Sequence, residues 1–224
     1  MFLSGNKRTI QETLPVIMKP TLELPITLRP PEVDEVPMNS SVKERLELRK
    51  TAKIVEGFKI LPKDNNLEDE ELAFNFYAEI NIDNSRLWNL ILELSKELPD
   101  EISLIFNHSD CEPEYGKYCD KNQTLEFLAN YETEIISDTF IDIGMIFHSD
   151  SELIEIFVPE SKYIKFWGVD QESFLKTMNE FDLKEIDGIE FVDEYPKVRE
   201  PLRLFNENTT DSNEMIELLR TNFK

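Results

Sequence analysis

The clearest pattern in the chain is an alternation of apolar and more polar residues that begins at Leu72. In "LAFNFYAEINI", every second position from Leu72 to Ile82 is apolar. Successive side chains of a strand point to opposite faces, so this alternation predicts a half-buried strand. Five later segments are predicted as strands on similar grounds: "EISLIFN", "FIDIGMIF", "ELIEIFV", "KYIKFW" and "GIEFVDEY". The short "HSDS" region between the second and third of these predicts a hairpin.

Helical periodicity separates the strands. "SSVKERLELRKTAKIVEGF" has Ser41 and Glu44 at capping-box spacing and Gly57 where a helix can stop. "NSRLWNLILELSKEL" places its apolar residues on one face behind a cap at Asn84 or Ser85. Three more helices are predicted at "NQTLEFLANYETEII", "QESFLKTMNEF" and "SNEMIELLRTNF".

This order of elements predicts an α+β fold in which one mixed β-sheet has helices packed mainly on one face. Two stretches look like duplicated βαβ units, because each runs from a strand through Asp83 or Asp170 and a capped helix to another strand. The alternative is that any two βαβ units share this pattern. The predicted divisions are an extended arm at 1–40, a helix and connector at 41–60, an α+β core domain at 61–205 and a C-terminal helix at 206–224.

The first forty residues carry six of the chain's 12 prolines, spaced five apart from Pro15 to Pro30 and followed by Pro31 and Pro37. Proline fixes φ and keeps its predecessor extended, so a stiff, Pro-rich N-terminal arm is predicted. The arm is also rich in Leu, Ile and Val, which need cover. It is expected to pack on its own body, on a second copy as a homo-oligomer, or on a foreign partner, and the sequence leaves all three open.

Charge is unevenly distributed along the chain. The whole sequence has 24 Lys and Arg against 46 Asp and Glu, a net of −22. Residues 1–60 hold 10 basic and 8 acidic side chains, net +2, so residues 61–224 hold 14 and 38, net −24. Such a body repels nucleic acid and anionic membranes and attracts cationic proteins. No signal peptide or long apolar span is visible, which predicts a cytoplasmic protein.

The only two histidines occupy similar contexts, "IFNHSD" and "IFHSDS". If the two strands that precede them were parallel neighbours, His108, Asp110, His148 and Asp150 would meet at one sheet edge and could bind a divalent metal. This predicts a metal-dependent enzyme as the alternative function. Asp after Ser at the end of a strand is also ordinary turn chemistry, and no established metal motif is present. Turn residues, with no metal and no cofactor, are therefore the favoured interpretation.

The segment "KYIKFWG" offers a different chemistry. On a strand, Tyr163, Lys165 and Trp167 share one face and form a strip of aromatic and cationic side chains on an acidic body. Tyr and Trp are enriched at protein interfaces, which favours a binding role. The alternative is that another element covers this face and makes the aromatic residues part of a core.

The run "FIDIGMIFHSDSELIEIFVPESKYIKFW", followed by a capped helix and "FVDEYPKV", resembles the strand-rich cores of small acidic bacterial immunity proteins, which neutralise a cognate toxin. The resemblance covers residues 72–198. It implies a cytoplasmic, non-enzymatic inhibitor whose acidic surface covers a basic site of a toxin. The acidic contact residues expected under this hypothesis are Asp142, Glu152, Glu155, Asp193 and Glu194.

Overall fold

The structure is a computed structural model that describes residues 21–32, 34–36, 40–63 and 73–224. Most of the predicted arm lies outside the described residues, as does Leu72 at the expected start of the first strand. Within the described ranges, no helix is long and apolar enough to cross a membrane.

Ten strands and six α-helices make up the described chain, and their bounds are as follows. The strands are β1 (Leu28–Arg29), β2 (Gly57–Pro62), β3 (Phe76–Asn81), β4 (Glu101–His108), β5 (Glu114–Tyr115), β6 (Cys119–Asp120), β7 (Ile141–His148), β8 (Leu153–Val158), β9 (Ile164–Gly168) and β10 (Val198–Arg199). The helices are α1 (Ser40–Arg49), α2 (Asn84–Leu94), α3 (Lys121–Ala129), α4 (Glu132–Ser137), α5 (Gln171–Glu180) and α6 (Ser212–Phe223).

Eight strands form the central sheet. Seven follow one another in the order β2-β3-β9-β8-β7-β4-β5, and β6 pairs with the start of β4. Every ladder between described strands is antiparallel, so the sheet is antiparallel rather than mixed. A single parallel bridge, between Phe58 and Glu185, was found among the described residues. The β7–β8 hairpin is confirmed, because Ser149 N donates to Glu152 O at 2.8 Å across its turn.

The core lies between one face of this sheet and helices α2 to α6. Side chains at alternate strand positions, such as Ala78, Phe166, Ile156, Met145 and Leu104, stand side by side across five strands. Helices α2 to α6 all bury apolar side chains in the same cluster. The predicted α+β class, with helices on one face of a sheet, is therefore confirmed.

Aspartate side chains fix where several helices begin. Asp170 Oδ1 accepts hydrogen bonds from the backbone N–H groups of Glu172 and Ser173 at 3.0 and 3.1 Å, which caps α5. Asp83 occupies the equivalent place before α2, but its Oδ1 accepts from Glu23 N at 2.8 Å instead. The first residue of α2 is Asn84, so the expected cap at Asn84 or Ser85 is wrong by one residue.

The duplicated βαβ units are not present as predicted. In the first unit, β3 and β4 are separated by three strands of the sheet. In the second, "GIEFVDEY" forms no named strand; Val192–Glu194 is a short 3-10 helix. Strand β2 was not predicted, because the predicted helix extends to its stop signal at Gly57, whereas α1 ends at Arg49 and β2 begins at Gly57. The helix predicted at 122–136 is two helices, α3 and α4.

The described part of the arm packs on its own body. Strand β1 pairs antiparallel with β10, with Leu28 opposite Arg199. Leu28 is 5 % exposed and Thr27 is fully buried. Arg29 forms ion pairs with Glu35 at 2.7 Å and with Glu200 at 3.1 Å. Residues 21–32 therefore form part of the folded body. The predictions for residues 1–20, 33 and 37–39 of the arm lie outside the described residues.

Candidate functional site

The side of the central sheet opposite helices α2 to α6 carries a mixed set of aromatic and charged side chains, and we call it the far face. Its side chains form two rows that run across the strands. The first row is Leu61, Tyr77, Trp167, Glu155 and Ile146, and the second is Lys59, Glu79, Lys165, Phe157 and Gly144. Most of these side chains are partly exposed, so the far face is an accessible surface of mixed chemistry and not a second core.

An aromatic pair occupies the centre of the first row. The rings of Tyr77 and Trp167 face each other across β3 and β9 with centroids 4.6 Å apart. The Tyr77 hydroxyl donates to Glu79 Oε1 at 2.7 Å, and Lys59 Nζ lies 2.6 Å from Glu79 Oε2. Burial, together with the hydrogen bond to Glu79, raises the pKa of Tyr77 above its ordinary value. The hydrogen bond to Glu79 thus orients the Tyr77 ring, and the tilted contact of the two rings supports Trp167 from the β3 side.

Glu155 lies beside Trp167 on the neighbouring strand β8. Burial raises its pKa to about 7, and the positive charge of Lys165 offsets this only in part. Lys165 Nζ itself lies 5.6 Å from the centre of the Tyr163 ring. Among the residues that the structure describes, none donates a hydrogen bond to the Glu155 carboxylate. The far face therefore presents a half-buried acid next to an indole that Tyr77 supports from the other side.

The segment from Ile186 to Tyr195 forms a rim along one end of the far face. Tyr163 is 5 % exposed and packs on Phe191, with ring centroids 4.8 Å apart. Lys59 Nζ lies 4.7 Å above the Phe191 ring. The predicted aromatic strip is thus only partly available, because Tyr163 is covered by this rim while Lys165 and Trp167 remain partly exposed.

The predicted acidic contacts divide among three places. Glu155 lies on the far face, and Asp193 and Glu194 are exposed on the rim. Asp142 is four residues along β7 from Ile146 and accepts from Asn107 Nδ2 at 2.9 Å, while burial raises its pKa. Glu152 is exposed in the β7–β8 turn. The structure therefore groups Glu155 with Lys165 and Trp167, but it leaves Asp142 and Glu152 outside this group.

The two His-Ser-Asp segments do not come together. Strands β4 and β7 are antiparallel, and His108 pairs with Ile141 at the start of β7. His148 lies seven residues further along β7, which corresponds to about 23 Å at the rise of an extended strand. Asp110 forms an ion pair with Arg199 at 2.9 Å, and Asp150 is exposed in the turn after His148. The parallel arrangement that the metal hypothesis required is therefore wrong.

The described residues contain no other cluster of side chains suited to a metal ion. Within residues 21–32, 34–36, 40–63 and 73–224, no group of three or more His, Cys, Asp or Glu side chains is placed to hold a metal ion. The described residues thus provide no other metal site in place of the predicted one, whose members His108, Asp110, His148 and Asp150 are kept apart by the register of β4 and β7.

Sequence reasoning missed several residues of the far face. Tyr77 and Glu79 are the polar positions of the alternation that begins at Leu72, and Phe157 occupies the same phase of β8. The alternation shows that these side chains share a face within one strand. It gives no information on which strands are neighbours. The pairing of β3 with β9 is what places Tyr77 beside Trp167.

No protein-family model, no curated protein and no solved structure matches this chain.

Proposed function

We propose that this protein is a non-enzymatic binding protein and that the far face of its sheet docks on a cationic surface of a partner protein. The observation that carries the proposal is the half-buried Glu155 carboxylate, which lies opposite Trp167 in the β8–β9 ladder and accepts no hydrogen bond from a described residue. Partial burial of an acid that accepts no hydrogen bond is costly in the free protein, and the charge of Lys165 offsets that cost only in part. A positive group of a second protein would supply the missing partner.

The composition of the far face supports a protein as the occupant. Trp and Tyr side chains dominate the energetics of many protein interfaces because they bury a large area and lose little conformational freedom. Tyr77, Trp167 and Phe157 provide such area, and Leu61 at the end of the first row is 46 % exposed. The acids of the rim, Asp193 and Glu194, extend the negative charge beyond this aromatic centre.

The overall charge supports a cationic partner. Residues 61–224 have a net charge of −24, and a field of this sign attracts positively charged proteins and repels nucleic acids and anionic lipid surfaces. The proposed partner class is a toxin whose basic site the far face covers, in keeping with the resemblance to bacterial immunity proteins. Neutralisation of such a toxin would take place in the cytoplasm.

The proposal is tested by capturing a partner protein from cell extract, purifying it and measuring its affinity. Tagged protein is incubated with extract of the cells that produce it, and each bound protein is isolated and its affinity measured with pure components. We expect a basic protein that binds stoichiometrically. Trp167→Ala should weaken its binding by a factor of about 30, as expected for the loss of a central aromatic anchor worth about 2 kcal/mol.

The matched control is Phe205→Ala, which removes an aromatic side chain that is 43 % exposed and lies outside the far face. This variant should bind like the wild-type protein. Circular dichroism and the melting temperature of both variants establish that they fold. A purified partner whose affinity is the same for the wild-type and Trp167→Ala proteins would exclude the far face as the binding surface.

A further inference from the structure

We infer that the far face recognises an arginine side chain of its partner, which stacks on Trp167 and pairs with the carboxylate of Glu155. The inference rests on the proposed function and names the chemical group that the far face selects. It follows from the geometry of four side chains: Tyr77 on β3, Glu155 on β8, and Lys165 and Trp167 on β9.

The indole of Trp167 and the carboxylate of Glu155 are adjacent on the far face. Glu155 and Trp167 are opposite each other in the β8–β9 ladder, so their side chains emerge on the same face about 5 Å apart at the backbone. Trp167 is held from the other side by the Tyr77 ring at 4.6 Å. A planar cation entering from solvent can thus contact the indole of Trp167 on one side and the carboxylate of Glu155 on the other.

The two described lysines of the far face make their closest contacts with other groups, although the charge of Lys165 also acts on Glu155. Lys165 Nζ lies 5.6 Å from the centre of the Tyr163 ring, and Lys59 Nζ lies 2.6 Å from Glu79. Glu79 also accepts the Tyr77 hydroxyl, so it has two partners on the far face. Glu155 accepts no hydrogen bond and forms no ion pair within 4 Å among the described residues, and it is the acid beside Trp167.

Arginine fits this arrangement better than lysine. A guanidinium group is planar, stacks on aromatic rings and donates two parallel hydrogen bonds to a carboxylate. An ammonium group is a compact, strongly hydrated charge that gains less from a flat indole surface. The site offers both a flat surface and a two-oxygen acceptor, and this combination selects arginine.

Binding of arginine should depend on pH through Glu155. Burial raises the pKa of Glu155 to about 7, and arginine keeps its charge throughout this range. The titratable and charged groups that face Glu155 are Lys165 on β9 and Tyr77 on β3; its β7 neighbour, Ile146, does not titrate. Because arginine pairs with the ionised carboxylate, its affinity should rise about tenfold from about pH 6 to about pH 8, in proportion to the ionised fraction.

The test uses the full chain labelled with ¹⁵N and follows the indole N–H signal of Trp167. The chain has two tryptophans, and Trp88 is 6 % exposed in the core, so the Trp167 signal is identified by its loss in Trp167→Phe. The probes are two blocked tripeptides, Gly-Arg-Gly and Gly-citrulline-Gly, which differ in the charge of one side chain. The arginine peptide should shift the Trp167 signal in a saturable and pH-dependent manner, and the citrulline peptide should shift it at least several-fold less.

Two variants complete the test. Glu155→Gln keeps the size of the side chain and should lose most of the arginine-dependent shift and all of its pH dependence. Glu207→Gln removes an exposed acid outside the far face and should behave like the wild-type protein. Equal shifts by both peptides, no shift by either, or an unchanged response in Glu155→Gln would each overturn the inference. Failure of the proposed function is seen separately, as a purified partner that binds Trp167→Ala with wild-type affinity.

Discussion

At the scale of single residues, Glu155 conflicts with the pattern around it. Its neighbours on β8 are apolar on both faces, and a valine or leucine at this position would avoid the cost of holding a carboxylate in a desolvated place. Groups whose pKa is perturbed by burial concentrate at functional sites, because a binding partner or substrate compensates the cost. The acid thus lowers the stability of the free protein at the position where the proposed complex would give it a contact.

Replacing Glu155 with Gln should stabilise the protein at high pH more than at low pH. Burial raises the pKa of Glu155 from its ordinary 4.5 to about 7, so the folded state binds more protons than the unfolded state between these values. The free energy of unfolding of the wild-type protein therefore falls as pH rises from about 4.5 to about 7. Glu155→Gln does not lose stability in this way. Its free energy of unfolding should exceed that of the wild-type protein by on the order of 1–3 kcal/mol at about pH 8.

Urea denaturation at about pH 5 and at about pH 8 checks this prediction, because the difference between the two proteins should grow with pH. Glu207→Gln, at an exposed position, serves as the control and should follow the wild-type protein at both pH values. A difference between Glu155→Gln and wild type that is the same at both pH values would show that Glu155 has an ordinary pKa.

At the scale of elements, the β7–β8 hairpin depends on the missing side chain of Gly144. A Cβ atom at this position would lie 2.8 Å from Phe157 Cδ2 and 2.8 Å from the carbonyl oxygen of Ile156. The Phe157 ring therefore occupies the space above Gly144 on the far face. One of the two close atoms belongs to the backbone of β8, so the strand itself would have to move to admit a methyl group.

Gly144→Ala should therefore destabilise the protein by about 1–3 kcal/mol, the usual cost of adding a methyl group to a tightly packed site. The free energy of unfolding in urea measures the effect. Gly188→Ala is a useful comparison, because Gly188 has nothing within 4 Å of its Cβ position but a φ of +66°, so its substitution reports backbone strain without a clash. Full stability of Gly144→Ala would mean that β8 moves freely and does not hold Phe157 in place.

The elements also show what the sequence predicts and what it does not. Strand β3, the β7–β8 hairpin and helix α5 were predicted because alternation, a short turn and the Asp170 cap are local signals. Strand β2 was missed because Gly57 was interpreted as the stop signal of a helix, whereas α1 ends at Arg49 and Gly57 is the first residue of the strand. The direction of β7 relative to β4 was also missed, since a connection through α3 and α4 can return the chain in either direction, and no local pattern reports the choice.

For the candidate site, as for the fold, the sequence predicts local features but not the pairing of distant strands. That Lys165 and Trp167 share a face follows from the period of a strand. That Tyr163 is covered, and that Glu155 and Tyr77 flank Trp167, depends on pairings between distant parts of the chain. The residue types were thus visible in the sequence, whereas their arrangement into one site required the order of the strands.

At the scale of the whole molecule, the proposed binding combines two features, the net charge of the body and the aromatic centre of the far face. The net charge of −24 on residues 61–224 acts over long distances, and the aromatic centre of the far face acts only on contact. Long-range charge mainly sets how fast a cationic partner arrives, and the contacts at the centre of an interface mainly set how long it stays. The two contributions are therefore separable by kinetics.

Association with the purified cationic partner should slow markedly as salt is raised from about 50 to about 500 mM, because the Debye length falls from roughly 14 to roughly 4 Å. The dissociation rate should change much less over this range. Surface plasmon resonance or stopped-flow fluorescence measures both rates. Trp167→Ala should accelerate dissociation and leave the salt dependence of association as it is in the wild-type protein, since it removes contact area and no charge. An association rate that does not respond to salt would mean that the acidic body has no part in attracting the partner, and that recognition rests on the contacts of the far face alone.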